Sequence, residues 1–415
     1  LIDKLPNYLN LYKQIMLSLA LCNLFKKYPH KQWNWDYLVY NPRITLNIIK
    51  QNLNKNLLFG HSWSFHNNGL SENISFTIKW IEKFPNQNWC WGRTGISSNN
   101  ALTIEMLIKF SNKDWDFGKY GISSNPALTI EMLEKFPNED WKFGYGGISS
   151  NYPAFKIEML EKFRFKHWYF GQFGISSNIY IKIEWIEKYP NENWYWGRWG
   201  ISFNLPLTID IIEKYLENWY WGEGGISSNS SLTIDIIEKY VNKPLNWGEY
   251  GISSNRSLTI DIIKKFRNKN WNFGRFGISS NIALTIEMIK TFPNENWDFK
   301  YISLNPSLTI EMIETFPNEN WDFKYISLNK SLTLLKIIEK FPNKEWDWNE
   351  ISKNPNISLK FINKYINKIN FNYLSKNELT YINNELNKTK KKIKLFYYLN
   401  FIKIPHDIQR YSISF

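Results

Sequence analysis

A segment of about 26 residues recurs along most of this chain, and that recurrence restricts the fold more than any other feature. The copy at 99–125 reads NNALTIEMLIKFSNKDWDFGKYGISSN, and the next, at 125–151, reads NPALTIEMLEKFPNEDWKFGYGGISSN. An anchor asparagine marks each junction at positions 41, 73, 99, 125, 151, 178, 204, 229, 255, 281, 305, 329, 354 and 377. Spacings run from 23 to 27 residues except for the first, which is 32 because residues are inserted before Trp63.

Each copy reads as two short helices. In 99–125, Thr103 is placed to cap a helix N-terminus, and Glu105 sets a negative charge in the first turn, where the helix dipole favours it. Ile104, Met106, Leu107 and Phe110 recur at helical spacing and make one apolar face. Phe-Pro-Asn at 136–138, 292–294, 316–318 and 341–343 then stops the helix. Trp-x-aromatic followed by Ile-Ser-x-Asn is too short for a strand-rich unit, and predicts a helical turn closed by Ser/Asn turn chemistry.

A single copy buries too few large apolar side chains to offset the entropy of ordering its backbone. Copies must therefore stack, sharing one continuous core. The expected architecture is all-α: an α-solenoid of about 14 short two-helix repeats with atypical capping ends. Residues 1–30 are amphipathic but lack the repeat, as an N-terminal cap would; 31–377 is the array; 378–415 is a basic, aromatic cap or tail. The Trp-x-aromatic pairs and the junction asparagines, placed alike in every copy, are expected to form a stacked core and a hydrogen-bond ladder.

The pattern Trp-x-Trp or Trp-x-Phe, then (Ile/Leu)-Ser-x-Asn-Pro-x-(Ile/Leu)-(Thr/Ser), is clearest in WNWDYLVYNPRIT (33–45), WDFKYISLNPSLT (297–309) and WDWNEISKNPNIS (346–358). It resembles the Trp/Asn-rich tandem-repeat proteins of giant double-stranded DNA viruses, over roughly residues 31–377. The middle copies depart from it by inserting Gly-x-x-Gly. That resemblance implies a viral protein acting in the host cytoplasm and carries no biochemical activity with it.

Charge narrows the partners. The chain nets +13, but residues 1–58 carry 8 Lys+Arg against 2 acids, 360–415 carry 11 against 3, and 59–359 carry 32 against 33. The array is thus close to neutral, where a nucleic-acid groove needs a sustained basic stripe. No apolar run reaches the roughly 18–20 residues of a membrane span. The longest, Ile15 to Phe25, lacks a cleavage site after it and is not expected to be a signal peptide. Two cysteines, Cys22 and Cys90, suit a reducing, intracellular compartment. Triplets of the form Asn-x-Ser/Thr at Asn73, Asn229, Asn255 and Asn329 arise from the repeat itself. No metal or cofactor is expected, since His30, His61, His66, His167 and His406 are scattered. Nucleotide-binding and hydrolase motifs are missing as well, and the helix carboxylates (Glu105, Glu131, Glu158, Glu184, Asp210, Asp235, Asp261) recur singly, as solvated charges.

A binding surface is expected where the frame is fixed and its contents vary. Eight copies carry Gly-x-x-Gly, from Gly92/Gly95 to Gly274/Gly277. Between the glycines stand Arg93-Thr94, Lys119-Tyr120, Tyr145, Gln172-Phe173, Arg198-Trp199, Glu223, Glu249-Tyr250 and Arg275-Phe276. Charged and aromatic side chains are typical interface anchors. The same loops read structurally as two-residue bulges that let copies stack. The sequence favours a non-catalytic scaffold for a protein partner. Two alternatives stay open: single-stranded nucleic-acid binding by these pairs and the basic termini, and a self-associating structural component.

Overall fold

The computed structural model describes residues 27–52 and 69–377, with Leu21, Leu24 and Phe25. Most of the expected N-terminal cap, all of 378–415, and Cys22, His61, His66 and His406 lie outside the described residues. Those described contain helices and turns and no strand, so the chain is an all-α repeat protein. It divides into two compact units, one spanning 56–332 and the other combining 1–55 with 333–415.

Each copy in 56–332 opens with a six-residue α-helix such as Ile104–Lys109 or Ile130–Lys135. Thr103, Thr129, Thr208, Thr233, Thr259, Thr285 and Thr309 cap these helices, each side-chain oxygen accepting from the backbone N–H three residues on. The next residue, Phe110 or Phe136, leaves the helical region at ψ 38° and 58°, and the helix ends. The Trp five residues further on then donates its indole N–H to that residue's carbonyl, as Trp115 does to Phe110 at 2.9 Å. The second segment is a 3₁₀ turn, such as Ile122–Ser124, in seven of the eight glycine-loop copies; after Gly200 it is the α-helix Ile201–Asn204. Where the two glycines are missing it becomes a full α-helix, such as Phe299–Leu304, capped by Asp298.

Three ladders join successive copies. In most copies the aromatic of the Trp-x-aromatic pair meets the next copy's Trp edge to face, Phe117 with Trp141 at 5.0 Å and Phe273 with Trp297 at 5.1 Å. Most anchor asparagines are buried and donate twice to the copy before them: Asn255 Nδ2 reaches the Ser227 carbonyl at 3.0 Å and the Asn229 carbonyl at 2.9 Å. Its Oδ1 accepts from Ser257 N–H at 2.9 Å, closing its own turn. The third ladder runs through the first serine of Ile-Ser-Ser. Ser123 Oγ donates to the Phe117 carbonyl at 2.5 Å and accepts from the next copy's Lys142 N–H at 3.0 Å. These serines, from Ser71 to Ser352, are fully buried. The four asparagines in glycosylation-like triplets are buried too, which closes them to modification in the folded chain.

Asn204 departs from the expected ladder. Its amide turns into its own loop, to the Trp199 and Gly200 carbonyls, and the buried Leu205 takes the junction position; Asn229 then donates to the Leu205 carbonyl at 2.8 Å. Phe203 stands where other copies have the second serine, and its ring packs on Trp199 at 4.8 Å. An apolar leucine gains more from the buried place than a polar amide does, so the chain shifts by one residue.

In the unit combining 1–55 with 333–415, the copy at 33–41 stacks directly on the one ending at Asn377. Asn34 N–H donates to Ser375 Oγ at 2.9 Å, and Asn41 Nδ2 donates to the Ser375 and Asn377 carbonyls at 2.8 and 2.9 Å. Trp33 meets Phe371 edge to face at 5.0 Å. These are the contacts that join consecutive copies, here made between residues more than 330 positions apart.

On the solvent side, helix-end lysines reach back to the previous helix's glutamate, Lys109 to Glu82 at 2.6 Å and Lys364 to Glu339 at 2.5 Å. Hydrogen bonding raises the Lys364 ammonium above its ordinary range and lowers the Glu339 carboxyl below its own. The small stabilisation from Glu339 is therefore present at neutral pH and lost as pH falls into the carboxylate range, while that from Lys364 is lost only in strong alkali.

Two substitutions separate ladder from bystander. Asn255→Ala is expected to cost about 2–3 kcal/mol in urea unfolding, because it strands two buried carbonyls. Asn204→Ala, which touches no other copy, is expected to cost less than about 1 kcal/mol. Ser375→Ala is expected to destabilise the packing of 33–41 by about 1–2 kcal/mol, read as faster amide exchange at Asn34.

Candidate binding surface

The Gly-x-x-Gly segments are β-turns, closed by a bond from the second glycine N–H to the first glycine carbonyl at 3.0–3.2 Å in all eight copies. The two glycines do different work. A Cβ on the second, at Gly95, Gly121, Gly147 or Gly277, would overlap the backbone carbonyl oxygen five residues earlier. That approach is needed, since the following N–H donates to the same carbonyl, Ile122 to Asp116 at 2.7 Å. At Gly248 a Cβ would meet nothing closer than 3.6 Å. The second glycine therefore belongs to the frame, as the structural reading of the loop expects.

The sequence-predicted residues all come to one surface. Arg93, Thr94, Tyr120, Tyr145, Phe173, Arg198, Glu249, Tyr250, Arg275 and Phe276 are exposed, and Lys119, Gln172, Trp199 and Glu223 are half-buried. They touch from loop to loop. The Arg93 guanidinium lies 3.9 Å from the Tyr120 ring centroid, and the Lys119 ammonium 4.6 Å from that of Tyr145. Gln172 donates to the Arg198 carbonyl at 3.4 Å, Arg198 pairs with Glu223, and Trp199 N–H donates to the Gly224 carbonyl at 2.7 Å. Ser228 Oγ reaches the Tyr250 carbonyl, and Tyr250 stacks on Phe276 at 5.4 Å.

The row also extends past the glycines. Arg275 lies 4.6 Å from the Tyr301 ring, Lys300 lies 5.2 Å from Tyr325, and the two tyrosines are 6.1 Å apart. Lys300-Tyr301 and Lys324-Tyr325 occupy the place between Phe and Ile that the loop fills elsewhere. Their charged–aromatic composition was the available signal, hidden when the glycines define the search.

The turns come in two conformations. Residue three of the turn has φ of 72° at Gly146, 61° at Phe173, 61° at Trp199, 68° at Gly224 and 54° at Tyr250, as a type II turn requires. Glycine accepts this freely; an aromatic residue there carries strain of about 1–3 kcal/mol. In the other copies the second Ile-Ser-Ser serine instead closes the loop through the carbonyl of turn residue two, as in Ser98 to Arg93 and Ser280 to Arg275.

No group of three potential metal ligands occurs among the described residues. The recurring helix carboxylates are exposed and stand one per copy. No described helix is long and apolar enough to cross a membrane. Neither a protein-family model, nor a curated protein, nor a solved structure matches the chain.

Gly121→Ala is expected to lose more than about 2 kcal/mol of stability, while Gly248→Ala stays within about 1 kcal/mol of the parent in the same unfolding experiment.

Proposed function

We propose that this chain is a non-catalytic scaffold that binds an acidic protein partner along the loop row from Arg93 to Tyr325. One observation carries the reading: cations of the row are laid across its rings, Arg93 on Tyr120, Lys119 on Tyr145, Arg275 on Tyr301 and Lys300 on Tyr325. A guanidinium stacked this way is held in one orientation and keeps its in-plane N–H donors for a carboxylate. The rings under these cations already use a face, which disfavours base stacking. Charge sorting points the same way. Within a nearly neutral array, the row gathers Arg93, Lys119, Arg198, Arg275, Lys300 and Lys324 against Glu223 and Glu249. A repeat frame with variable loop contents is how such arrays vary a contact surface while conserving their core. The resemblance to giant-virus repeat proteins supports a host-cell cytoplasm as the setting of this proposed scaffold.

The test is selection of a random-peptide display library on the full chain. Enriched peptides should be rich in Asp and Glu. Their affinity should fall at least about ten-fold in an Arg93→Ala/Lys119→Ala/Arg275→Ala variant, which loses about 1.4 kcal/mol or more of binding. Failure to enrich, or enrichment of basic peptides, overturns the acidic-partner reading. Tighter binding of oligo-dT than of any peptide assigns the row to nucleic acid, and multimers in light scattering assign the chain to self-association.

A further inference from the structure

Residues 151–205 break the repeat's own rules more than any other described stretch of the 56–332 unit. Lys156 and Lys182 stand at helix N-caps that threonine fills in most copies, and neither makes a side-chain cap. Asn178 Nδ2 is buried without a hydrogen-bond partner, so its place in the ladder goes unmade; Asn151 keeps its two ladder bonds, but its Oδ1 is unmet because Pro153 has no N–H to close the turn. Asn204 is turned out of the ladder altogether. Phe173 and Trp199 hold the left-handed turn position that glycine takes in the loops on either side, at Gly146 and Gly224. The missing caps, the unmet buried amide atoms and the strained turns each cost stability, and only the Asn204 departure is offset in the frame, by burial of Leu205.

What the stretch displays instead is specific. Phe173 is 49% exposed and, among the described residues, has neither a ring nor a cation against it, whereas the similarly exposed Tyr120 carries the Arg93 and Lys119 cations over its ring. The Phe173 backbone is pinned all the same, its N–H donating to Ser177 Oγ at 3.0 Å. In the next loop Trp199 is braced by Phe203, beside the exposed Arg198. Strain kept at an exposed aromatic with an open face marks a site where the side chain, not the fold, is being selected.

Resting on the scaffold reading above, we infer that the turns Gly171–Gly174 and Gly197–Gly200 form the anchor of the row. Phe173 and Trp199 grip an aromatic side chain of the acidic partner segment, while the Arg198–Glu223 pair holds the second of these loops in place. The remaining loops align the segment; these two supply most of the affinity, as buried aromatics at interface centres do.

A labelled peptide from the display selection, measured by anisotropy against full-chain variants, tests this. Phe173→Gly is expected to weaken binding at least about ten-fold while melting at the parent temperature or above, because glycine relieves the turn. Tyr120→Ala, from a loop whose ring face is already taken by two cations, is expected to weaken it less than about three-fold. Phe173→Leu keeps the strained turn without the ring, and is expected to bind as poorly as the glycine variant. Equal losses for Tyr120→Ala and Phe173→Gly overturn the anchor and leave the row as a uniform surface. A peptide bound equally by these variants and by the triple cation variant removes the row itself. Displacement of the peptide by oligo-dT at lower concentration than by its own unlabelled form overturns the assignment to a protein segment.

Discussion

Everything in this protein depends on buried polar groups that are satisfied by a neighbouring copy. A stack of short helices held by apolar contact alone could slide by a residue or rotate without a large penalty, because dispersion and burial are non-directional. The serine and asparagine ladders remove that freedom. Ser123 bonds the turn of its own copy and the backbone of the next, and Asn125 reaches back to two carbonyls of the previous one. Any slip leaves several buried donors and carbonyls unmet, at a cost larger than the packing change would be. Register is thus set by hydrogen bonds, and the Trp edge-to-face contacts fill the space those bonds define.

That division explains how a core with so little variation supports a surface with so much. The second glycine lets the chain fold back onto a carbonyl five residues earlier, so the β-turn projects at the same point whatever its two middle residues are. Removing the glycines does not remove the surface. In Phe299–Leu304 the turn becomes part of a helix, yet Lys300 and Tyr301 stand in line with Arg275. Two different backbones therefore present the same kind of side chain to the same row.

Much of this was readable from residues alone, and the exceptions have physical reasons. The caps, the helix stops, the stacked aromatics and most of the asparagine ladder follow from residue types at fixed spacing. The serine ladder did not, because a serine near a turn is ordinarily explained by the turn, and only the fold shows that Ser97 Oγ faces the Asp116 N–H of the next copy. Asn204 looked like every other anchor; the exchange with Leu205 turns on a competition for one buried place that spacing does not reveal. The loop residues were identified, but their two turn conformations were not, since Phe173 and Tyr120 sit in the same motif with opposite backbone handedness. Tyr301 and Tyr325 were missed because the motif that flagged the others is missing around them.

The junction between the copies at 33–41 and 371–377 has a consequence for how the protein is made. A growing chain exposes residues 33–41 early, and the neighbour that satisfies Asn34 and Asn41 emerges only when residues 371–377 do. At synthesis rates of about 5–20 residues per second, residues 33–41 wait on the order of tens of seconds for these contacts. Internal copies meet their predecessor as soon as they leave the ribosome, so folding of the array can advance from one end while its earliest segment stays open to other contacts. During that interval the hydrogen bonds that join residues 33–41 to 375–377 are unmade, so this junction is completed only after the whole intervening array has been synthesised.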